Sequence, residues 1–332
     1  MDNFDVYGFC NPLIDLHSHI PDSFLEKRKL EKNRMHLVSL ETQQSLLMAL
    51  TAEHYSIEFS AGGSGANSMI GVAQLGGRAA FTGKIGEDEH AQIYRENLED
   101  QGVRAAFGTG PGVTGSSLIL VTDDGARTMN THLGISQELH PDDVDEEILK
   151  TSRYLYLTGY LWDTETQKAS VRHALSLSEK YPVKVALSLS DPFCVNRHHE
   201  DFRKLLRSQV DMVFCNQEEA FALMGTQVSN EAFCAITELV ETVVFTMGGH
   251  GALIFHQGET VYLDPLMIEV KDTTGAGDAF AAGFLYGISQ GKTPLQSGRI
   301  ATVMAGTVIE QMGPQIQGHV QKIVREKLGD VL

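Results

Sequence analysis

Short apolar runs recur from about residue 153 onward: Tyr154-Leu155-Tyr156-Leu157, Val183 to Leu187, Met212 to Cys215 and Val243 to Thr246. Their richness in β-branched and aromatic residues marks them as strands. Between them the pattern changes to helical spacing over 165–180, 200–208, 217–224 and 231–240. Regular alternation of strand and helix implies parallel strands joined by crossover helices. The predicted fold class is therefore α/β, a doubly wound, mainly parallel sheet flanked by helices. In such sheets ligands bind at the carboxyl ends of the strands.

The N-terminal part reads differently. Ser117 to Thr122 and Ala126 to Thr131 flank Asp123-Asp124-Gly125, and Asp-Gly between two such runs is a hairpin signal. With Met35 to Val38 and the strand-like stretch Ile14 to Ile20, this predicts a small β-sheet lid assembled from approximately 11–61 and 103–134. The remainder of a single domain, 1–332, would form the core. Farther along, Phe280, Phe284 and Ile288 share one face at helical spacing, so a core helix follows residue 278.

Composition narrows the range of partners. A 332-residue chain with 42% hydrophobic and 21% charged residues has enough apolar material for a large core. Its net charge of −17, from 26 basic and 43 acidic residues, repels nucleic acid and anionic membrane surfaces alike. The first ten residues carry Asp2 and Asp5 without a basic leader, and no apolar run approaches membrane-spanning length, so a cytoplasmic location is expected. Cys10, Cys194, Cys215 and Cys234 are scattered, as reduced core thiols would be.

The candidate chemistry centres on Asp272-Thr273-Thr274-Gly275-Ala276-Gly277-Asp278. Small residues at Gly275, Ala276 and Gly277 let a ligand approach the backbone, and their N–H groups become free donors where the following helix begins. The helix dipole adds about half a positive charge there, so the string forms an anion cradle. Asp278, placed in that field, should stay ionised and serve as a base. The string is neither a Walker A loop nor a dinucleotide fingerprint. A second glycine-rich turn, Gly62-Gly63-Ser64-Gly65-Ala66-Asn67, also precedes a helical pattern and ends in an amide suited to sugar hydroxyls.

Together these two strings resemble the paired signatures of the ribokinase-like (PfkB) family of carbohydrate and nucleoside kinases. The resemblance runs over about residues 4–316 and is nearest to the adenosine kinase-like members. It implies that Asp278 is the catalytic base and that Gly275, Ala276 and Gly277 stabilise the transferred phosphoryl group. Asn216-Gln217-Glu218-Glu219 has the family's Asn-x-x-Glu spacing, which implies Asn216 near the phosphates and Glu219 ordering the waters of Mg²⁺. Thr246-Met247-Gly248-Gly249-His250-Gly251 resembles the family's ATP loop, so Thr246, Gly248 and Gly251 join Thr274 as expected ATP-binding residues. The opening Gly8 to Leu16 resembles the start of adenosine kinases, in which an aspartate holds the ribose diol. Asn11, Asp15, Gly62, Gly63, Asn67 and Arg127 are thus the expected substrate residues. Related kinases also bind a monovalent cation, K⁺, through carbonyls near the positions of Asp272 and Thr274 and through the loop matching Met312 to Gln315.

Ribokinases usually carry lysine at the position of Ser64, and many adenosine kinases depart from Gly-Ala at 65 and 66, so the pattern is intermediate. His17, His19, His198 and His199 lack metal-site spacing and read as solvated. The expectation is an ATP- and Mg²⁺-dependent kinase of a primary hydroxyl, with a nucleoside or sugar as its small-molecule partner. The 5′-hydroxyl of a ribonucleoside such as adenosine comes first, a free sugar of the ribose or fructose type second. A non-catalytic ligand-binding protein on this fold is the alternative of another class. The chain would act as a monomer or homodimer, without nucleic-acid or membrane partners.

Overall fold

The strand Phe4–Phe9, buried at every position after its first, is the axis around which a computed structural model describing residues 3–329 is arranged. Met1, Asp2 and 330–332, counted in the expected domain of 1–332, lie outside the described residues. The large sheet runs in the spatial order Glu259–Leu263, Ala252–His256, Thr242–Thr246, Met212–Asn216, Lys184–Ser188, Ser152–Thr158, Phe4–Phe9, Ala79–Thr82, Arg104–Ala105. Ala252–His256 pairs antiparallel with both its neighbours, and every other pair is parallel. The α/β class and all four strands read from the pattern are therefore present, as are helices Glu165–Lys180, Pro192–Ser208, Gln217–Met224 and Ser229–Thr237.

From Phe4–Phe9 the chain builds the sheet outward in one direction and later, from Ser152–Thr158, in the other. The crevice between the carboxyl ends of these two strands is the switch point where an open α/β sheet receives its ligand. Five more strands form a separate sheet in the order Met35–Leu37, Arg127–His132, Gly115–Val121, Leu13–His19, Glu58–Gly62. The segment assigned to this lid from residue 103 begins later than expected. Val103 and Ala105 are buried in the core, and Arg104–Ala105 pairs with Ala79–Thr82 in the large sheet. Gly108–Thr109 pairs with Lys84–Ile85, so the second sheet resumes only at Gly115.

Three elements meet beneath the crevice. Tyr156, Phe214 and Phe284 stack edge to face, with centroids 6.0 and 5.9 Å apart, and tie two sheet strands to helix Ala276–Ser289. Helix Ser64–Gln74 lies so close to that helix that a Cβ on Gly71 would sit 2.6 Å from the Cβ of Ala282. This contact sets the distance between the two helix N-termini that carry the candidate chemistry. Gly71→Val should therefore cost about 1–3 kcal/mol by overpacking, measured as a fall in the urea midpoint. An unchanged midpoint would show that the two helices can separate freely.

Candidate active site

Asp278 lies in the first turn of helix Ala276–Ser289, whose N-cap is Gly275 at φ +76°. Glycine adopts that left-handed conformation at little cost, and a Cβ there would also lie 2.6 Å from the Cα of Pro314. The Ala276 N–H turns back to the Thr273 carbonyl at 3.2 Å. The three-donor cradle expected of Gly275, Ala276 and Gly277 is thus reduced to Gly275 and Gly277. Gly277 has room for a ligand, since an added Cβ would meet nothing within 4 Å. Asp272 closes the preceding loop by accepting from the N–H of Thr274 (3.0 Å) and of Gly313 (2.8 Å).

Helix Ser64–Gln74 supplies the partners of Asp278. Ser64 and Asn67 stand one turn apart and therefore on one side of the helix. Ser64 Oγ donates to Oδ1 of Asp278 at 2.5 Å, and Asn67 Nδ2 donates to Oδ2 at 3.0 Å. Ser68 Oγ donates to the Asp278 backbone carbonyl at 3.2 Å. Desolvation pushes the Asp278 carboxyl above its ordinary pKa even though the residue opens onto a pocket, while the Ser64 and Asn67 bonds pull it down. Desolvation thus acts against the helix dipole, which favours the ionised form.

That pocket, about 80 Å³, gathers Asp278, Gly277, Asn216, Glu219 and Thr246, with Ser64, Ser188 and Ser190 beside them. Asn216 and Glu219 form a capping box. Glu219 accepts from the Asn216 N–H at 3.1 Å and from Asn216 Nδ2 at 2.7 Å, while Asn216 Oδ1 accepts from the Glu219 N–H at 2.9 Å. Burial first, with the like charges of Asp191 and Asp278 adding to it, pushes Glu219 up to about 7. Among the described residues no three His, Cys, Asp or Glu side chains converge on a point that could hold a metal. A single carboxylate among like charges suits Mg²⁺ that keeps several waters.

The ATP-loop residues separate. Thr246 ends its strand at the pocket, whereas Gly248 lies outside it at a position open to solvent. Gly251, at φ +79°, lets the chain pass the Leu263 carbonyl, 2.1 Å from where its Cβ would be. Thr274 belongs to the cradle loop through Asp272.

The second sheet places Asp15, His17, Ile119, Met129 and Thr131 on one face, by the register pairs Asp15↔Ser117, His17↔Ile119, Met129↔Ile119 and Thr131↔Ser117. Arg127 continues this face and forms an ion pair with Asp272, so the face overlooks the cradle. Arg127 Nη1 is buried and finds no partner among the described residues. The carboxylate of Asp272 is taken up by Arg127, Thr274 and Gly313. Asp15, 8% exposed, packs its carboxyl on Gly62, where a Cβ would lie 2.2 Å away. Burial above all, reinforced by Asp278 and opposed by Arg127, raises its pKa to about 7; no hydrogen bond contributes. Asn11 is engaged elsewhere, accepting from Gln167 Nε2 at 2.7 Å, and Gly63 passes close to the Asn11 carbonyl.

Two histidines differ from the solvated reading. His17 is half-buried, with its pKa lowered first by burial and then by Arg127. His198 bonds Asp163 at 2.9 Å where its helix is kinked. Ser64 is a functional candidate not identified as a site residue from the sequence, although its one-turn spacing to Asn67 could have shown it. Gln315 is expected from the sequence only as part of a cation-binding loop, not as a partner of Asn67.

A family model described as pfkB family carbohydrate kinase matches residues 38–320. The crystal structure of a probable sugar kinase from Rhizobium etli is similar at 35% identity and TM-score 0.89, over 98% of this chain and 99% of the other. That of an adenosine kinase from Sinorhizobium meliloti is similar at 34% identity and TM-score 0.89, over 98% and 100%. An adenosine kinase of Dictyostelium discoideum is 25% identical over 350 residues, covering 97% of this chain and 99% of the relative.

The raised pKa of Asp15 has a consequence for stability. Between the unfolded value near 4 and about 7, the folded form binds more protons than the unfolded one, so this residue's contribution falls as pH rises through that window. Asp15→Asn should therefore gain stability relative to the parent by ~1–4 kcal/mol from pH 4 to 8, read from denaturant midpoints of the ligand-free proteins. A constant difference across that range would mean that Asp15 is solvated.

Proposed function

We propose a ribonucleoside as the acceptor of this chain, which belongs to the pfkB family of carbohydrate kinases and is a phosphotransferase acting on an alcohol group. The family implies use of ATP and Mg²⁺. The observation that carries the nucleoside reading is Asp15, a buried carboxylate with no hydrogen-bond contribution from the protein. Such a group is costly to leave unpaired, and two adjacent hydroxyls would satisfy it with charge-assisted bonds. On the same face Met35, Leu37 and Met129 offer apolar surface that a free sugar would not cover and a planar base would. Two of the three similar proteins above are named adenosine kinases, and they span nearly their full length here.

In this reading the acceptor lies between the lid face and helix Ser64–Gln74, with Asp15 on its diol and its primary hydroxyl toward Asp278. Phosphoryl transfer requires an aligned hydroxyl, charge neutralisation and removal of one proton. Asp278 takes that proton. Its raised pKa makes it a stronger base than an exposed aspartate, and Ser64 and Asn67 keep it ionised and aimed. The N–H groups of Gly275 and Gly277 face the charge of the transferred group, and the spare Nη1 of Arg127 can join them. Glu219 would hold the water shell of Mg²⁺, which supplies further charge neutralisation when bound.

Release of ADP measured against a panel of nucleosides and free sugars tests the acceptor. The proposal requires turnover of adenosine or a related ribonucleoside; turnover of ribose or fructose alone would replace it with a sugar kinase. On the best acceptor, Asp15→Ala should raise KM and lose at least ~2 kcal/mol in kcat/KM. Kinetics close to the parent's would remove Asp15 from the site.

A further inference from the structure

Asn67 must present a particular end of its amide to Asp278. Flipped, it would set Oδ1 against a carboxylate, two acceptors facing one another. The residue that determines this orientation is Gln315. Its Nε2 donates to the backbone carbonyl of Ala61 at 2.8 Å and to Asn67 Oδ1 at 3.2 Å. A backbone carbonyl can only accept, so Ala61 fixes which end of the Gln315 amide points inward. Gln315 in turn fixes the Asn67 amide, leaving Nδ2 for Asp278. The relay has an obligate acceptor at each end and one consistent polarity. Its outer end is anchored as well: the Gly313 N–H bonds Asp272 at 2.8 Å, and Pro314 packs on Gly275. Ala61 is the penultimate residue of the lid strand Glu58–Gly62, paired with Ile14 and two residues ahead of Gly63.

We propose that Gln315 is a positioning residue for proton transfer, orienting Asn67 so that its amide N–H holds the Asp278 carboxylate, and tying that arrangement to the lid strand through Ala61. The inference rests on Asp278 being the base. Besides its partners Ser64 and Asn67, the titratable groups that feel the charge of Asp278 include Asp15 from the lid, Glu219 from the neighbouring helix, and Cys10, Tyr156 and Tyr160 from the sheet side. None of these is altered by substituting Gln315.

Two variants test it, each confirmed folded by its melting transition. Gln315→Met keeps the volume and removes the donor. Gln315→Glu places an acceptor against both Ala61 and Asn67 and favours the flipped amide. Donation to a carboxylate favours its ionised form, so losing it raises the pKa of Asp278. Both variants should move the acid limb of the kcat–pH profile to higher pH. kcat should fall roughly 5- to 100-fold, more in Gln315→Glu than in Gln315→Met, with KM for ATP unchanged. In an Asn67→Ala background, Gln315→Met should have little further effect, because its action passes through Asn67. A parental acid limb that neither variant moves, or effects of Gln315→Met and Asn67→Ala that simply add, would overturn this inference alone. A parent enzyme whose kcat has no acid limb would overturn the reading of Asp278, and this inference with it.

Discussion

The site depends on one contact between distant parts of the chain, the pair of hydrogen bonds from Ser64 and Asn67 to the carboxylate of Asp278. The donors stand 214 and 211 residues from their acceptor, so only the packing of two helices brings them together. Gly71 against Ala282 sets that spacing. Gly275 against Pro314 brings the last loop to the cradle, and the stack Tyr156–Phe214–Phe284 holds helix Ala276–Ser289 to the sheet. Each of these contacts can be read as a condition for placing one carboxylate within reach of a hydroxyl proton.

Electrostatics then explains how a chain of net charge −17 serves an anionic cofactor. The acids at the site are themselves poorly satisfied. Desolvation raises Asp15, Glu219 and Asp278, and the charge of Asp278 raises the other two further. In the proposed reading ligands would relieve this in different ways: a diol would donate to Asp15, a hydrated divalent cation would face Glu219, and a hydroxyl would give its proton to Asp278. Positive contributions at the site come from backbone N–H groups at a helix N-terminus and from Arg127, on the lid face. Attraction for phosphate is therefore local, and the acidic surface elsewhere disfavours other polyanions.

Much of the sheet was legible because parallel strands are short, apolar and separated by helical spacing, as Met212–Asn216 and Gln217–Met224 show. The Asp-Gly hairpin was legible for a local reason, the turn it requires. Edges were less so: Arg104–Ala105 is two residues long, and its place in the large sheet depends on the burial of Val103 and Ala105, which no local pattern encodes. Within the site, residues on recognisable turns were identified, and Asp278, Gly277, Asn216, Glu219 and Thr246 do share one pocket. What escaped is tertiary. The Ala276 N–H is diverted to Thr273, Asn67 points at Asp278, and Gln315 reaches Asn67 across 248 residues of chain. Helix spacing can suggest that Ser64 and Asn67 act together, but not on what.

The most direct measurement is single-turnover phosphoryl transfer by Asp278→Asn, folded and saturated with ATP and the best acceptor. Asparagine keeps the shape and the capping ability but cannot take a proton, so the rate should fall about 10²- to 10⁴-fold while ATP affinity changes little. A folded variant that retains more than about a tenth of the parental rate would contradict proton transfer to Asp278.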